Sequence, residues 1–308
     1  MRSNNSHRSH HQQRAAPLRR DEAETKFLAG TPIDPCPRIR LEAGSTELTM
    51  RAMDLICPIG MGQRGLIVAP PGSGKTTFLK HICQAVAKGT PQIKLYCLLI
   101  DERPEEVTDF KRTIPGEIHY SSTDQSYEHH IEIADKLMRQ AFVEVAAGGN
   151  VMIVIDSLTR LARVHNAQTR SSGRTISGGV DARALEVPRR IFGAARKIEH
   201  GGSLSILATV LIETGSRMDE VIFEEFKGTG NMEIVLSREI ANQRIFPAID
   251  ISKSATRKQE LLFTSKEYAQ VERFRRGLAG LGSIEAAQTL VKKLQLFPTN
   301  KELLSTFS

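Results

Sequence analysis

A glycine-rich segment, Ala69-Pro70-Pro71-Gly72-Ser73-Gly74-Lys75-Thr76, carries the residue types that a phosphate group needs. Small residues let successive backbone N–H groups curl around phosphate oxygens. A lysine can then reach the β- and γ-phosphates, and the hydroxyl beside it can hold Mg2+. Lys75 and Thr76 are the candidates for those two roles, with Ala69 standing where the P-loop pattern has its first glycine. Asp156 follows the apolar run VMIVI. A carboxylate emerging at the carboxyl end of a buried strand is placed to position a metal, although such an Asp serves equally well as the N-cap of a following helix. Asp101-Glu102-Arg103 close a second apolar run, IKLYCLLI. Glu102 is placed to polarise a water facing the γ-phosphate, and Arg103 to sense phosphate charge. The alternative for this trio is a surface ion-pair cluster of little energetic weight.

These groups depend on elements that the hydrophobic pattern predicts. GLIVA (65–69) reads as a buried strand that feeds the glycine-rich turn, and a helix follows over about 75–88, stopped by Gly89 and Pro91. The pattern places strands at 93–100, 151–155, 203–212 and 232–237, and helices at 104–112 and 126–147. The helix at 104 opens with Pro and then acids, as the helix dipole favours. Continuous apolar strands alternating with helices predict an α/β fold, with a mostly parallel sheet covered by helices on both faces. The last forty residues, marked by Leu278, Leu281, Leu290, Leu294 and Leu296, read as C-terminal helices.

The chain has 308 residues, 40% hydrophobic and 25% charged, which excludes collagen-like and wholly disordered classes. No apolar run approaches the length that crosses a bilayer, so no membrane partner is expected. The formal net charge is +7, and five arginines without an acid sit in the first twenty residues. Most of the excess therefore belongs to a tail, and nucleic-acid contact by the folded part must come from a few placed side chains. Residues 1–30 are expected to be a disordered basic tail; His7, His10 and His11 there lack the fixed geometry of a metal site. A proline-punctuated lead-in over 31–60 is expected to wrap the edge of a domain spanning 61–308. Cys36, Cys57, Cys83 and Cys97 form no Cys-x-x-Cys pair, and free thiols in a reducing cytoplasm fit them best.

Longer stretches resemble one family. PIGMGQRGLIVAPPGSGKT (58–76), LLIDERPEEVTDF (98–110), VIDSLTRLARVHN (154–166), SGGVDARAL (177–185), FGAARKIEHGGSLSILAT (192–209), IETGSRMDEVIFEEFKGTGNMEIVLSR (212–238) and RIFPAIDI (244–251) closely resemble bacterial transcription termination factors of the Rho family. The resemblance implies a RecA-like P-loop ATPase core that assembles as a homohexameric ring. It implies single-stranded RNA threaded through the central pore and translocated at the expense of ATP, with Mg2+ as cofactor. RNA polymerase and elongation factors are further partners that it raises.

The resemblance also assigns roles. Gly60, Met61, Gly62, Gln63, Arg64 and Gly65 match one nucleotide-binding stretch, and Gly72, Ser73, Gly74, Lys75, Thr76 and Thr77 the second. Asp156 matches the metal-positioning acid, Glu102 the catalytic glutamate, Arg103 a nucleotide contact and Phe246 the aromatic packed on adenine. Arg257 matches an arginine finger offered to the neighbouring subunit's ATP, and Arg244 a second arginine at that interface. Residues 171–179 and 213–219 match two pore loops, where Arg174 and Arg217 would meet RNA. A rotary or secretion-type ATPase shares the sheet and P-loop, but DERPEEVT and the pore-loop sequences disfavour it. Three departures stand out. Only some forty residues precede the resemblance, too few for the family's N-terminal OB-type RNA-binding barrel. A ring subunit that binds RNA without productive termination is therefore a second reading. Gly72 and Thr77 stand where the family has a basic residue and a methionine.

Overall fold

The computed structural model describes residues 22–169 and 177–307. In chain order the first half comprises α1 (Glu22–Leu28), β1 (Pro32–Ile33), β2 (Arg38–Ile39), α2 (Leu48–Ile56), β3 (Ile59–Gly60), β4 (Arg64–Ala69), α3 (Lys75–Gly89), β5 (Ile93–Glu102), α4 (Pro104–Thr113), β6 (Glu117–Ser122) and α5 (Tyr127–Ala146). The second half adds β7 (Asn150–Asp156), α6 (Leu158–Gln168), α7 (Glu186–Gly193), β8 (Arg196–Ile198), β9 (Ser203–Leu211), α8 (Arg217–Lys227), β10 (Met232–Val235), α9 (Arg238–Asn242) and β11 (Ala255–Thr256). The helices α10 (Ser265–Ala279), α11 (Ser283–Leu296) and α12 (Asn300–Ser305) complete it.

The main sheet runs β11-β10-β4-β9-β7-β5-β6. From β10 to β6 every pairing is parallel, while β11 joins antiparallel at one edge and β8 pairs antiparallel with β9. Side chains of a strand alternate between faces, so each central strand feeds two cores. On β5, Leu95, Cys97 and Leu99 pack with α2, α3, α10 and α11. Tyr96, Leu98 and Ile100 pack with α5, α6, α7 and α8 on the other face. Burial on both faces is why these strands read as unbroken apolar runs.

Two boundaries differ from the sequence reading. A helix lies inside the expected tail: α1 sets the buried Phe27 against Phe142 of α5, with ring centroids 6.1 Å apart. The lead-in does more than wrap an edge. Thr49 to Ile56 of α2 are all buried, with Met50, Met53 and Ile56 inside the first core. Nine residues of helix are too few to stand out between prolines, and their burial is set by distant α3 and α11. Asp54 of the same helix ties the lead-in down, accepting hydrogen bonds from the backbone N–H of Leu41 (3.2 Å) and Glu42 (2.9 Å). β6 and α1 were not predicted, since β6 shows no clean apolar alternation. All four cysteines are free, and Cys57, Cys83 and Cys97 are buried.

Candidate active site

The P-loop follows β4 directly. Ser73 N–H and its hydroxyl both donate to the Pro70 carbonyl, closing the turn. Gly74, at the N-cap of α3, has φ 89°, a left-handed conformation that glycine adopts without penalty. Lys75 and Thr76 thus occupy the first turn of a fifteen-residue helix, whose N-terminal N–H groups and dipole favour an anion.

Two neighbouring strands bring acids to this helix end. Asp156, the last residue of β7, is 1% exposed. One of its carboxylate oxygens accepts from the Thr209 hydroxyl of β9 at 2.9 Å, and the other pairs with Lys75 Nζ. A bound phosphate would compete with Asp156 for Lys75, so the pair keeps both charges satisfied between ligands. The following helix is capped not by Asp156 but by Ser157, whose hydroxyl accepts from Arg160 N–H. The N-cap alternative for Asp156 therefore falls away.

Glu102 ends β5, where the register with β6 shifts and Asp101 takes a φ of 54°. That irregularity turns the Glu102 side chain inward, to 1% exposure. Burial and the nearby Asp156 charge raise its pKa above the ordinary carboxylate value, while Arg160 and Lys75 pull the other way. Arg160 reaches within 2.7 Å of Glu102 Oε2, and its guanidinium also donates to the Asp101 carbonyl. The surface-cluster alternative fails for Glu102, which is buried among the phosphate-site charges. Arg103, by contrast, is exposed at the N-cap of α4.

Sequence reasoning missed Arg160 and Thr209. Arg160 had a signal, since it lies four residues beyond Asp156 and one helical turn brings it back over the strand end. Thr209 had none, because the pairing of β7 with β9 crosses about fifty residues.

Beside the loop lies a pocket of about 440 Å3, lined by Gly72, Ser73, Gly74, Thr77, Phe78 and His81 on one side. Phe246, Pro247 and Ala248 form another wall, and Glu47, Leu48 and Thr49 at the start of α2 a third. Phe246 is 49% exposed, free to pack on a flat ligand. A Cβ on Gly74 would stand 3.7 Å from the Phe246 ring, so ring and P-loop are neighbours. Arg244 is exposed two residues upstream, in a turn with φ 59°.

Other expected residues are not brought here. Gly60, Met61, Gly62 and Gln63 are buried at the opposite, amino end of β4, with Arg64 half-buried beside them and Gly65 buried as β4 begins. Gly60 N–H donates to Gln63 Oε1 and Gly62 N–H to the Ser205 hydroxyl, at 2.9 and 2.8 Å. Arg64 donates to the Thr229 and Ala195 carbonyls. Arg257 is exposed at that same end, its N–H bonded to the Asn231 carbonyl while Asn231 N–H reaches Arg64. Six residues of β4, about 20 Å at strand rise, separate this edge from the P-loop. Arg217 is exposed at the first position of α8, its carbonyl packed against Gly178. Asp219, two residues on, accepts hydrogen bonds from Arg163 Nε at 2.7 Å and the Thr214 hydroxyl at 2.6 Å. Arg174 lies outside the described residues.

A buried glutamate beside a lysine–aspartate pair, at the mouth of a P-loop on a mostly parallel sheet, defines a P-loop nucleoside-triphosphate hydrolase. A family profile agrees: the nucleotide-binding domain of the ATP synthase alpha/beta family matches residues 49–256. Transcription termination factor Rho from Karelsulcia muelleri is 49% identical over 91% of this chain and 74% of its own length. The Haemophilus influenzae factor is 50% identical over 88% of the chain and 66% of its own, and the Pseudomonas aeruginosa factor 50% over 94% and 70%. The chain belongs to the transcription termination factor Rho family, and it spans about two thirds to three quarters of the length of these relatives. Among solved structures, a prototypical ATPase from the type III secretion system of pathogenic bacteria superposes with TM-score 0.71, at 26% identity over 91% of this chain and 81% of its own. The assembled ATPase EscN from enteropathogenic E. coli shares the fold, with TM-score 0.70 at 23% identity over 91% and 72%.

Proposed function

We propose that the chain is an RNA-stimulated ATP hydrolase that works as a homohexameric ring and moves along single-stranded RNA in transcription termination. The observation that carries this reading is the split site. Lys75, Asp156 and Glu102 gather at the carboxyl edge of the sheet, whereas Arg257 is exposed at the amino edge about 20 Å away. A finger so placed reaches only another subunit's phosphates, and stabilising transition-state charge in trans makes turnover depend on the ring. Gly60–Gly65 share that edge, so any nucleotide contact they make is with the neighbour's ATP.

Glu102, ionised, accepts a proton from the attacking water, and Arg160 holds its carboxylate toward the site. Thr76 and Asp156 supply the hard oxygen donors that Mg2+ prefers, and no cluster of three or more acidic, His or Cys ligands exists among the described residues. That fits an ion held jointly by two protein oxygens, the phosphates and water. When bound, it would neutralise charge on the β- and γ-phosphates. Phe246 stacks on the base, with Thr77 across the pocket where relatives are expected to carry a methionine. Arg103 and Arg244 are exposed for contact with nucleotide or neighbour. Arg217 would meet RNA phosphates in the pore, held out by the Arg163–Asp219 pair. Polymerase and elongation factors are proposed partners, in the cytoplasm, where the four free thiols are stable. No helix among the described residues is long and apolar enough to cross a membrane.

The secretion-type ATPases share the fold at half the identity of the termination factors, which favours the termination reading. ATPase rates with poly(C), with poly(A) and without RNA, at two salt concentrations, test it. RNA should stimulate hydrolysis and lose effect as salt rises; equal rates in all three would overturn it.

A further inference from the structure

Glu102 owes its inward aim to an irregularity that other groups must hold. Ile100 of β5 faces Ser121 of β6 and Glu102 faces Ser122, so Asp101, with φ 54°, is an extra residue in the ladder. A bulge of this kind re-aims the side chain beside it. β6 is an edge strand that pairs with β5 alone, so no further strand fixes its end. A chain of hydrogen bonds does so instead. Thr123 N–H donates to the Glu102 carbonyl and Gln125 N–H to the Ser122 carbonyl, both at 3.0 Å. Gln125 Oε1 in turn accepts from Ser122 N–H at 2.9 Å and from the Ser121 hydroxyl at 3.0 Å.

The far end of that chain is His130, in the first turn of α5 and 1% exposed, with Nδ1 2.6 Å from the Ser121 hydroxyl. The direction of this bond follows from counting protons. The Ser122 backbone N–H needs an acceptor, which fixes the Gln125 amide with its oxygen toward β6. Ser121 has one hydroxyl proton and gives it to that oxygen, so it must accept from His130 Nδ1–H. Ser121 is wholly buried, and losing either bond leaves a partner unpaired away from water. The imidazole also lies near the bulge itself: burial lowers the His130 pKa, while the Asp101 carboxylate pulls the other way.

We infer that His130 is a positioning residue for ATP hydrolysis: through Ser121 and Gln125 it anchors the end of β6 to α5 and so holds the bulge that aims Glu102. The inference rests on the proposal that Glu102 is the general base. Steady-state ATPase of the full chain, with titration of the non-hydrolysable triphosphate AMPPNP, tests both. His130→Ala should lower kcat about tenfold, the scale of one lost hydrogen bond or a slight misplacement, and change KM and AMPPNP affinity less than about twofold. His130→Asn, whose amide nitrogen can donate from near the Nδ1 position, should recover most of kcat. His130→Gln, whose amide lies one bond further out, should behave as His130→Ala. Ser121→Ala deletes one oxygen, so it tests the same link with little risk to folding, and it should show the same selective loss of kcat. The double variant His130→Ala/Ser121→Ala should be no slower than either single one, because both cut one path. Wild-type kcat in both His130→Ala and Ser121→Ala, additive losses in the double variant, or equal weakening of turnover and AMPPNP binding would overturn the inference. If Glu102→Gln is inactive in the same assay, such a result leaves the role of Glu102 standing. Wild-type kcat in Glu102→Gln would overturn that role and the inference with it.

Discussion

At the residue scale the site is a balance of four charges, two buried acids facing two partly exposed cations. Lys75 and Arg160 face Asp156 and Glu102, and removing any one leaves a buried partner without its counter-charge. Lys75→Ala should therefore abolish tight nucleotide binding, measured by equilibrium titration, since both the phosphate contact and the Asp156 pair are lost. Glu102→Gln should bind ATP normally and hydrolyse it a hundredfold or more slowly, the usual contribution of a general base. The raised pKa of Glu102 has a definite sign in a pH profile. The working form is ionised, so activity is lost as pH falls through a value above the ordinary 4.5. Arg160→Ala removes a cation that lowers that pKa, so the acid limb of kcat should move further toward neutral pH. An unmoved limb would detach Arg160 from Glu102.

Among the elements, β4 carries two glycine-rich segments with opposite duties. The one after it builds the phosphate cradle, and the one before it closes the sheet's amino edge. Gly62 has φ 93°, and a Cβ there would come within 2.4 Å of the Lys197 backbone nitrogen. Gly62→Ala should cost about 1–3 kcal/mol of stability, lowering Tm, by strain at that left-handed position. The lead-in is likewise structural. Asp54 pairs with Arg38 at 3.7 Å and with two backbone N–H groups, yet burial pushes its pKa up to about 6. A raised carboxyl binds its proton earlier in the folded state, so its contribution to stability falls as pH rises from about 4 through 6. Asp54→Ala, which orphans the Leu41 and Glu42 N–H groups, should destabilise by about 2 kcal/mol in denaturant melts.

For the whole molecule, the separation of Arg257 from the P-loop makes a complementation experiment decisive. Arg257→Ala should bind ATP and fail to turn it over. Mixed with Lys75→Ala subunits, which carry an intact finger but no phosphate site, it should regain part of the ATPase activity. No recovery after mixing would place the finger's action within one subunit. The same long view explains why the chain's net charge says little about RNA. Most of its excess lies in the first twenty residues, while the proposed RNA contact of Arg217 would gain effect through repetition around a ring.

Strands, the P-loop helix and the acids Glu102 and Asp156 were legible in sequence, because they follow local rules: apolar runs buried on both faces, small residues at a turn, a first polar residue at a strand's end. Arg160 was legible in principle by helical spacing. Contacts made across the sheet were not. Thr209 on Asp156, and the start of α2 beside Phe246 in one pocket, depend on how distant strands and helices pack, whereas the two glycine-rich segments take opposite edges simply because β4 lies between them. Strand order is decided by which buried faces pack together, and no window of residues contains that information. Residue chemistry thus determined that the chain can grip a triphosphate. Only the tertiary arrangement decided which groups share one pocket and which, like Arg257, lie at the far edge of the sheet.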